Sequence, residues 1–204
     1  MTIDKTTGML AASAAVHQLK PISHKAIDGP DTIIIHYTAG TSGESSANWL
    51  ADPTSKVSAH VVIDSSGRIY QIIPFNKVAW HAGKSAYGGR TGFNNFSIGI
   101  ELDNAGYLQR DGDAYVNKYG KRYAPAEVIQ ARHHNENFTR FWHTYTDEQI
   151  LACRNLCIAL IEAYPEIDQI LGHDEISPGR KQDPGPAFPM EHFRSSIIFK
   201  HGEA

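Results

Sequence analysis

The sequence predicts an α/β fold: a single domain with a mixed central β-sheet flanked by helices. Three observations carry that expectation. Thr32-Ile33-Ile34-Ile35 is the kind of β-branched run that a strand covered on both faces requires. Ala59 to Asp64 and Arg68 to Ile73 alternate around Ser65-Ser66-Gly67 as a hairpin. Further on, Ile150, Cys153, Cys157, Leu160, Ile161 and Tyr164 recur at three- and four-residue steps, so strands crowd the first half of the chain and helices the second. With 204 residues, 41% hydrophobic, the chain can bury a core, and no apolar run approaches the ~18 residues of a membrane-spanning helix. Nineteen Lys and Arg against 22 Asp and Glu give a net charge of −3, so neither nucleic acid nor a membrane surface is expected as partner.

Residues 1–30 read as an N-terminal lead-in. Its apolar stretch, Met9 to Val16, is interrupted by Ser13 and preceded by Asp4 and Lys5, a poor secretory signal; a cytoplasmic location is expected, with signal-independent export as the alternative. The domain proper should span 31–199. Asp31 to Tyr37 forms a strand that delivers His36 to its own end, and Thr38 to Ser46 is a Gly, Ser and Thr loop. Ser45 or Ser46 should cap a short helix through Asn48-Trp49-Leu50. After the hairpin, Ser97 to Leu102 is another apolar strand, ending around Glu101.

From about 105 to 143 the apolar pattern weakens, while Tyr, Phe and Trp alternate with Arg and Lys. This insertion is expected to lack regular periodicity and to form a rim or lid over a groove. A capping box of Thr146 and Gln149 then opens a helix that Pro165 closes, with both cysteines as packing residues. Gln169 to Gly172 is a short strand, Ser177 to Pro189 a Gly/Pro-rich loop, Met190 to Phe199 a final helix, and 200–204 a tail.

Eleven histidines stand out in so cysteine-poor a chain. Of these, His36 and His173 join Glu101 and Asp183 where strands give way to loops. Imidazole and carboxylate are suitable zinc ligands, and three protein ligands with one open position make a catalytic site. Spacing alone does not distinguish that from structural histidines at strand ends.

The surrounding words do. IIIHYTAG (33–40), SAHVVIDSSGRIYQIIPFNKVAWHAG (58–83), NNFSIGIELDN (94–104) and LGHDEISPGRKQDPGPAFP (171–189) closely resemble the zinc-dependent N-acetylmuramoyl-L-alanine amidases of the type-2 family. These include muropeptide-recycling amidases, phage endolysins and peptidoglycan recognition proteins, and the recycling type is the nearest likeness. The resemblance implies one Zn2+ per chain held by His36, His173 and Asp183 in a surface groove at the strand ends. It also implies Glu101 as catalytic acid/base and Lys181 as the cation that stabilises the oxyanion. The substrate would be peptidoglycan or its fragments, cut between N-acetylmuramic acid and L-alanine by a monomer. Trp80, His81, Asn95 and Arg180 fall where the family lines its cleft. His60 replaces a tyrosine seen in some relatives and is expected to be structural; His133, His134, His143 and His201 are given no metal role. The alternative is a recognition module that binds peptidoglycan without cutting it. A deaminase-type zinc site is excluded, because no HxE word followed by PCxxC is present.

Overall fold

The computed structural model describes residues 1–21, 24–27 and 29–198; Phe199 of the expected last helix and the 200–204 tail lie outside them. A two-stranded ribbon, Ile3–Asp4 against Met9–Leu10, precedes strand β1 (Val16–His17). Then come β2 (Thr32–Tyr37), α1 (Gly43–Ala51), the hairpin β3 (Val61–Ile63) and β4 (Ile69–Gln71), and β5 (Ser97–Leu102). The insertion supplies β6 (Tyr107–Asp111), β7 (Ala114–Val116), β8 (Arg122–Tyr123), β9 (Val128–Arg132) and β10 (Thr139–His143). α2 (Asp147–Ala163), β11 (Gln169–Gly172), α3 (His173–Ile176) and α4 (Met190–Ile198) complete it.

The central sheet runs β11-β2-β5-β3-β4-β1, with β11, β2, β5 and β3 parallel and β4 antiparallel to β3. Register decides what each face carries. Ile33 pairs with Ile98 and Ile35 with Ile100, and these side chains pack with Leu156, Cys157 and Leu160 of α2 and with Phe193 and Ile197 of α4. Each such fully buried side chain contributes about 1.5–3 kcal/mol. On the opposite face Ile34 pairs with Gly99 and His36 with Glu101. Because Gly172 pairs with Ile35, His173 begins α3 beside His36. Three candidate residues thus meet outside the carboxyl ends of parallel strands, where open α/β sheets place their ligands.

The structure departs from the sequence reading in four places. α1 starts earlier than expected, because Ser42, in extended backbone, accepts from the Ser45 amide, whereas Ser46 lies inside the helix and donates back to the Ser42 carbonyl. Thr146 does cap α2, accepting from the Gln149 backbone amide, but the Gln149 side chain, instead of closing a box, donates through Nε2 to the carbonyls of Ile63 and Asp103. The insertion is not irregular: it is a second, antiparallel sheet ordered β8-β7-β6-β10-β9. One face buries Ala105, Leu108 and Tyr123 against Tyr115, Val128 and Phe141, and Trp142 is buried on the other, too few positions per strand to show as alternation. Finally, the lead-in is built into the domain. Leu10 lies in the main core, β1 pairs with β4, and buried Lys20 donates to the carbonyls of Leu50, Asp52, Ser55 and Val57 and to Ser55 Oγ.

Candidate functional site

The protons of the site can be placed by following groups that only accept. Ser97 Oγ donates to the Phe93 carbonyl at 2.5 Å, so towards the His81 ring, 3.3 Å from His81 Nε2, it acts as acceptor. His81 therefore carries its proton on Nε2, and its bare Nδ1 accepts from His36 Nε2 at 2.9 Å. His36 Nδ1 is left without a proton. His173 reaches the same state by another route: the two hydrogens of Arg180 Nη2, 3.3 Å away, go to the nearer carbonyls of Ala82 and Lys84, so His173 Nε2 donates to the Ala82 carbonyl at 3.1 Å, leaving Nδ1 bare. The two bare nitrogens lie 2.8 Å apart, and Asp183 Oδ2 is 3.0 Å from one and 2.8 Å from the other. Three lone-pair groups, all buried, converge with no hydrogen among them. That is the donor set a zinc ion takes. Burial first, then the neighbouring His173, pushes His36 down to about 4, consistent with a neutral ring.

Gly99 makes the relay possible. A Cβ at this position would lie 2.4 Å from His81 Cγ, so only glycine lets the imidazole rest on the sheet beside His36. Asn94 Oδ1 accepts from the amides of His81 and Ala82 and fixes the loop from the other side. His60 is tied to the Gly99 amide and the Lys77 carbonyl, so both its ring nitrogens are engaged away from the three ligands.

Glu101 borders the same centre. Its Oε2 is buried with no hydrogen-bond partner, and burial first, then the charge of Asp183, pushes its carboxyl up to about 8, with Lys181 opposing. Both open into a groove of about 970 Å3 shared with Trp80, His81 and Arg180. Arg180 Nη2 donates to the carbonyls of Ala82 and Lys84, bracing the loop that carries His81. Asn95 is not brought in: it is exposed, bonds to the Gly92 carbonyl and does not line the groove. One bank carries Trp49 and Trp80, the other Tyr107 and Tyr119 of the insertion, all four more than 40% exposed. Exposed aromatic surface concentrated in one cleft marks a binding site. Two hydrogen bonds tie the banks together, Asn117 to the Gly40 carbonyl and Lys121 to the Thr41 carbonyl.

The model of the N-acetylmuramoyl-L-alanine amidase family matches residues 26–186, most of the chain and every residue of the centre. The chain belongs to the type-2 N-acetylmuramoyl-L-alanine amidases. It is 33% identical over 183 residues to the 1,6-anhydro-N-acetylmuramyl-L-alanine amidase AmpD of Escherichia coli K12, covering 81% of each chain. It is also 33% identical over 173 residues to the N-acetylmuramoyl-L-alanine amidase AmiD of the same organism, covering 81% of this chain and 52% of AmiD. Among solved structures, a selenomethionine derivative of AmpD superposes with a TM-score of 0.67 at 30% identity, covering 97% of this chain and 99% of the other. E. coli AmiD in complex with the substrate anhydro-N-acetylmuramic acid-L-Ala-D-γ-Glu-L-Lys gives 0.62 at 30% identity, over 86% and 60%.

Within this amidase the sequence reading missed Asn94, one residue from the asparagine it chose, together with the Gly99 seat under His81. It also gave Trp49 no place in the groove, whereas Tyr107 and Tyr119 belong to the insertion it expected to form a rim. The apolar run Ile98 to Ile100 of β5 is interrupted by a single glycine, and that was the one signal available for the seat. Among the described residues no helix is long and apolar enough to cross a membrane.

Proposed function

We propose that this amidase hydrolyses the amide between N-acetylmuramic acid, in particular its anhydro form, and the L-alanine of the stem peptide. One observation carries the reading: two bare imidazole nitrogens and a carboxylate converge beside a buried, unpartnered Glu101 oxygen at the floor of an aromatic groove. His36, His173 and Asp183 would hold Zn2+. A bound zinc ion supplies Lewis acidity there, polarising an amide carbonyl and lowering the pKa of a water from ~15.7 towards ~7.

The remaining steps belong to side chains. Glu101 takes a proton from the attacking water and returns it to the leaving nitrogen of L-alanine; a carboxyl near 8 is poised for both near neutral pH. Lys181 presents an ammonium to the carbonyl oxygen as it becomes an oxyanion, a contact worth about 3 kcal/mol. Trp49, Trp80, Tyr107 and Tyr119 offer faces for sugar and peptide, and β6 and β7 of the insertion form the far rim. The relatives named for the 1,6-anhydro sugar support a soluble fragment as substrate; in this reading the enzyme acts as a monomer in the cytoplasm.

The test compares zinc-loaded protein on soluble anhydro-muropeptide and on intact sacculi, following released stem peptide by mass spectrometry. Faster release from the soluble fragment, abolished by a chelator and restored by zinc, is the expected result. Folded, zinc-loaded protein that binds muropeptide and releases no peptide would replace this reading with a recognition module.

A further inference from the structure

A second group of metal-ligating side chains lies behind the site: His133, His134 and Asp174, with one ligand atom each within 4.8 Å of the others. The proton argument that makes the first group a metal centre denies that role to this one. The Asn135 amide donates to His133 Nδ1 at 3.1 Å, so the His133 proton sits on Nε2, and Nε2 points at Asp174 Oδ2 at 2.9 Å. The lone pair that a metal would need is already in use. His133 and Asp174 are both buried, whereas His134, 3.8 Å from the same oxygen, is 56% exposed. They form a hydrogen-bonded pair with a fixed donor and acceptor, joining the β9–β10 hairpin to the residue that follows His173.

That residue is in direct touch with the centre. The Asp174 amide donates to the Asp183 carbonyl at 2.8 Å, and the Asp174 carbonyl accepts from Asn135 Nδ2 at 3.1 Å. The hairpin also reaches the far side of the Asp183 loop. Trp142, stacked on His133, covers Gly185, where a Cβ would lie 2.9 Å from the indole. Beyond the hairpin, Tyr145 Oη donates to the Pro184 carbonyl at 2.7 Å.

We propose that His133 is a positioning residue for the metal centre. By holding Asp174 it sets the Asp174 amide against Asp183, and so the placing of the Asp183 carboxylate beside His36 and His173. The inference rests on the zinc reading above. It gives the insertion a task distinct from lining the groove: its inner hairpin shapes metal affinity.

The measurement is zinc affinity of the full chain by competition with a chromophoric chelator, with the melting temperature of the metal-free protein recorded alongside. His133→Phe keeps the stack on Trp142 and removes the donor; its zinc affinity should fall by about 10- to 100-fold, as when a partner of a metal ligand is lost. His133→Gln restores a donor at the same reach and should stay within about threefold of wild type. Wild-type affinity in folded His133→Phe, or equal losses in the Phe and Gln variants, would overturn the proposal. Should His133→Phe fail to fold, Asn135→Ala carries the test: affinity reduced by about threefold or more supports the clamp, and unchanged affinity overturns it. Two zinc ions per wild-type chain, one of them lost in His134→Ala, would also overturn it, by making the trio a metal site. No zinc in wild type would remove the metal reading itself, a result distinct from all of these.

Discussion

Replacing Glu101 by Gln should make the metal-free protein more stable and the enzyme slower. In the folded chain the Glu101 carboxyl is pushed from the ordinary 4.5 up to about 8, first by burial and then by Asp183. Between those values the native state binds a proton that the unfolded chain has released, so wild type loses stability as pH rises through the window. The loss is complete above pH 8. Each pH unit is worth about 1.4 kcal/mol, so the accumulated cost is on the order of 5 kcal/mol. Gln has no proton to lose and keeps the shape. Because Glu101 Oε2 has no partner in the fold, the amide breaks no hydrogen bond there. Urea unfolding of chelator-treated wild type and Glu101→Gln between about pH 5 and 9 reads the difference directly. The two should nearly coincide at the acid end, and the variant should gain steadily to a plateau above pH 8. Zinc-loaded variant should bind metal and lose about 10²- to 10⁴-fold in turnover. A stability gap that does not change with pH, or a variant less stable than wild type at pH 8, would refute the account of Glu101 as a carboxylate buried for function.

Gly99→Ala puts a Cβ 2.4 Å from the His81 ring; it should cost about 1–3 kcal/mol in unfolding free energy and weaken zinc binding by about tenfold, read by denaturation and chelator competition. Leu156→Ala, in the core on the other face of the sheet, should lower stability by about 2–5 kcal/mol while leaving zinc affinity of the folded fraction unchanged. Lys20→Met strips the cation from four carbonyls and should cost about 3 kcal/mol in chemical denaturation; no loss would show that the Lys20 ammonium does not help tie the lead-in to the domain.

The parts of this fold that could be read in advance are those whose causes are local. β2 and β5 are buried on both faces, so their apolar runs are continuous, and the residues at which those runs stop are His36 and Glu101. α2 shows its stripe because one face meets the sheet and the other meets water. The insertion hid its strands because each face is covered by only a few residues. The start of α1 depends on the extended backbone at Ser42, a choice between neighbouring serines that composition cannot make. Asn94 and Asn95 are adjacent and chemically identical; only the path of the 81–82 loop decides which accepts its amides. The His133–Asp174 bond joins residues 41 apart on segments that carry no shared pattern.

These differences in origin lead to a difference in fragility. His36 and Glu101 are fixed by strand register, so moving either one requires breaking the parallel ladder that also holds the core. Asp183 lies in a Pro/Gly loop with no ladder of its own; the Asp174 amide, the Tyr145 hydroxyl and the Trp142 ring meet it or its neighbours from outside. A change in the sheet is therefore felt first as lost stability and only through that as lost metal. A change in the hairpin behind the site leaves the sheet intact and acts on a single ligand. Metal affinity and folding stability should separate across variants along that line: Leu156→Ala moves the second and His133→Phe the first. If both quantities fell together in every variant, the centre would be a passive consequence of the fold, and the hairpin would have no role in it.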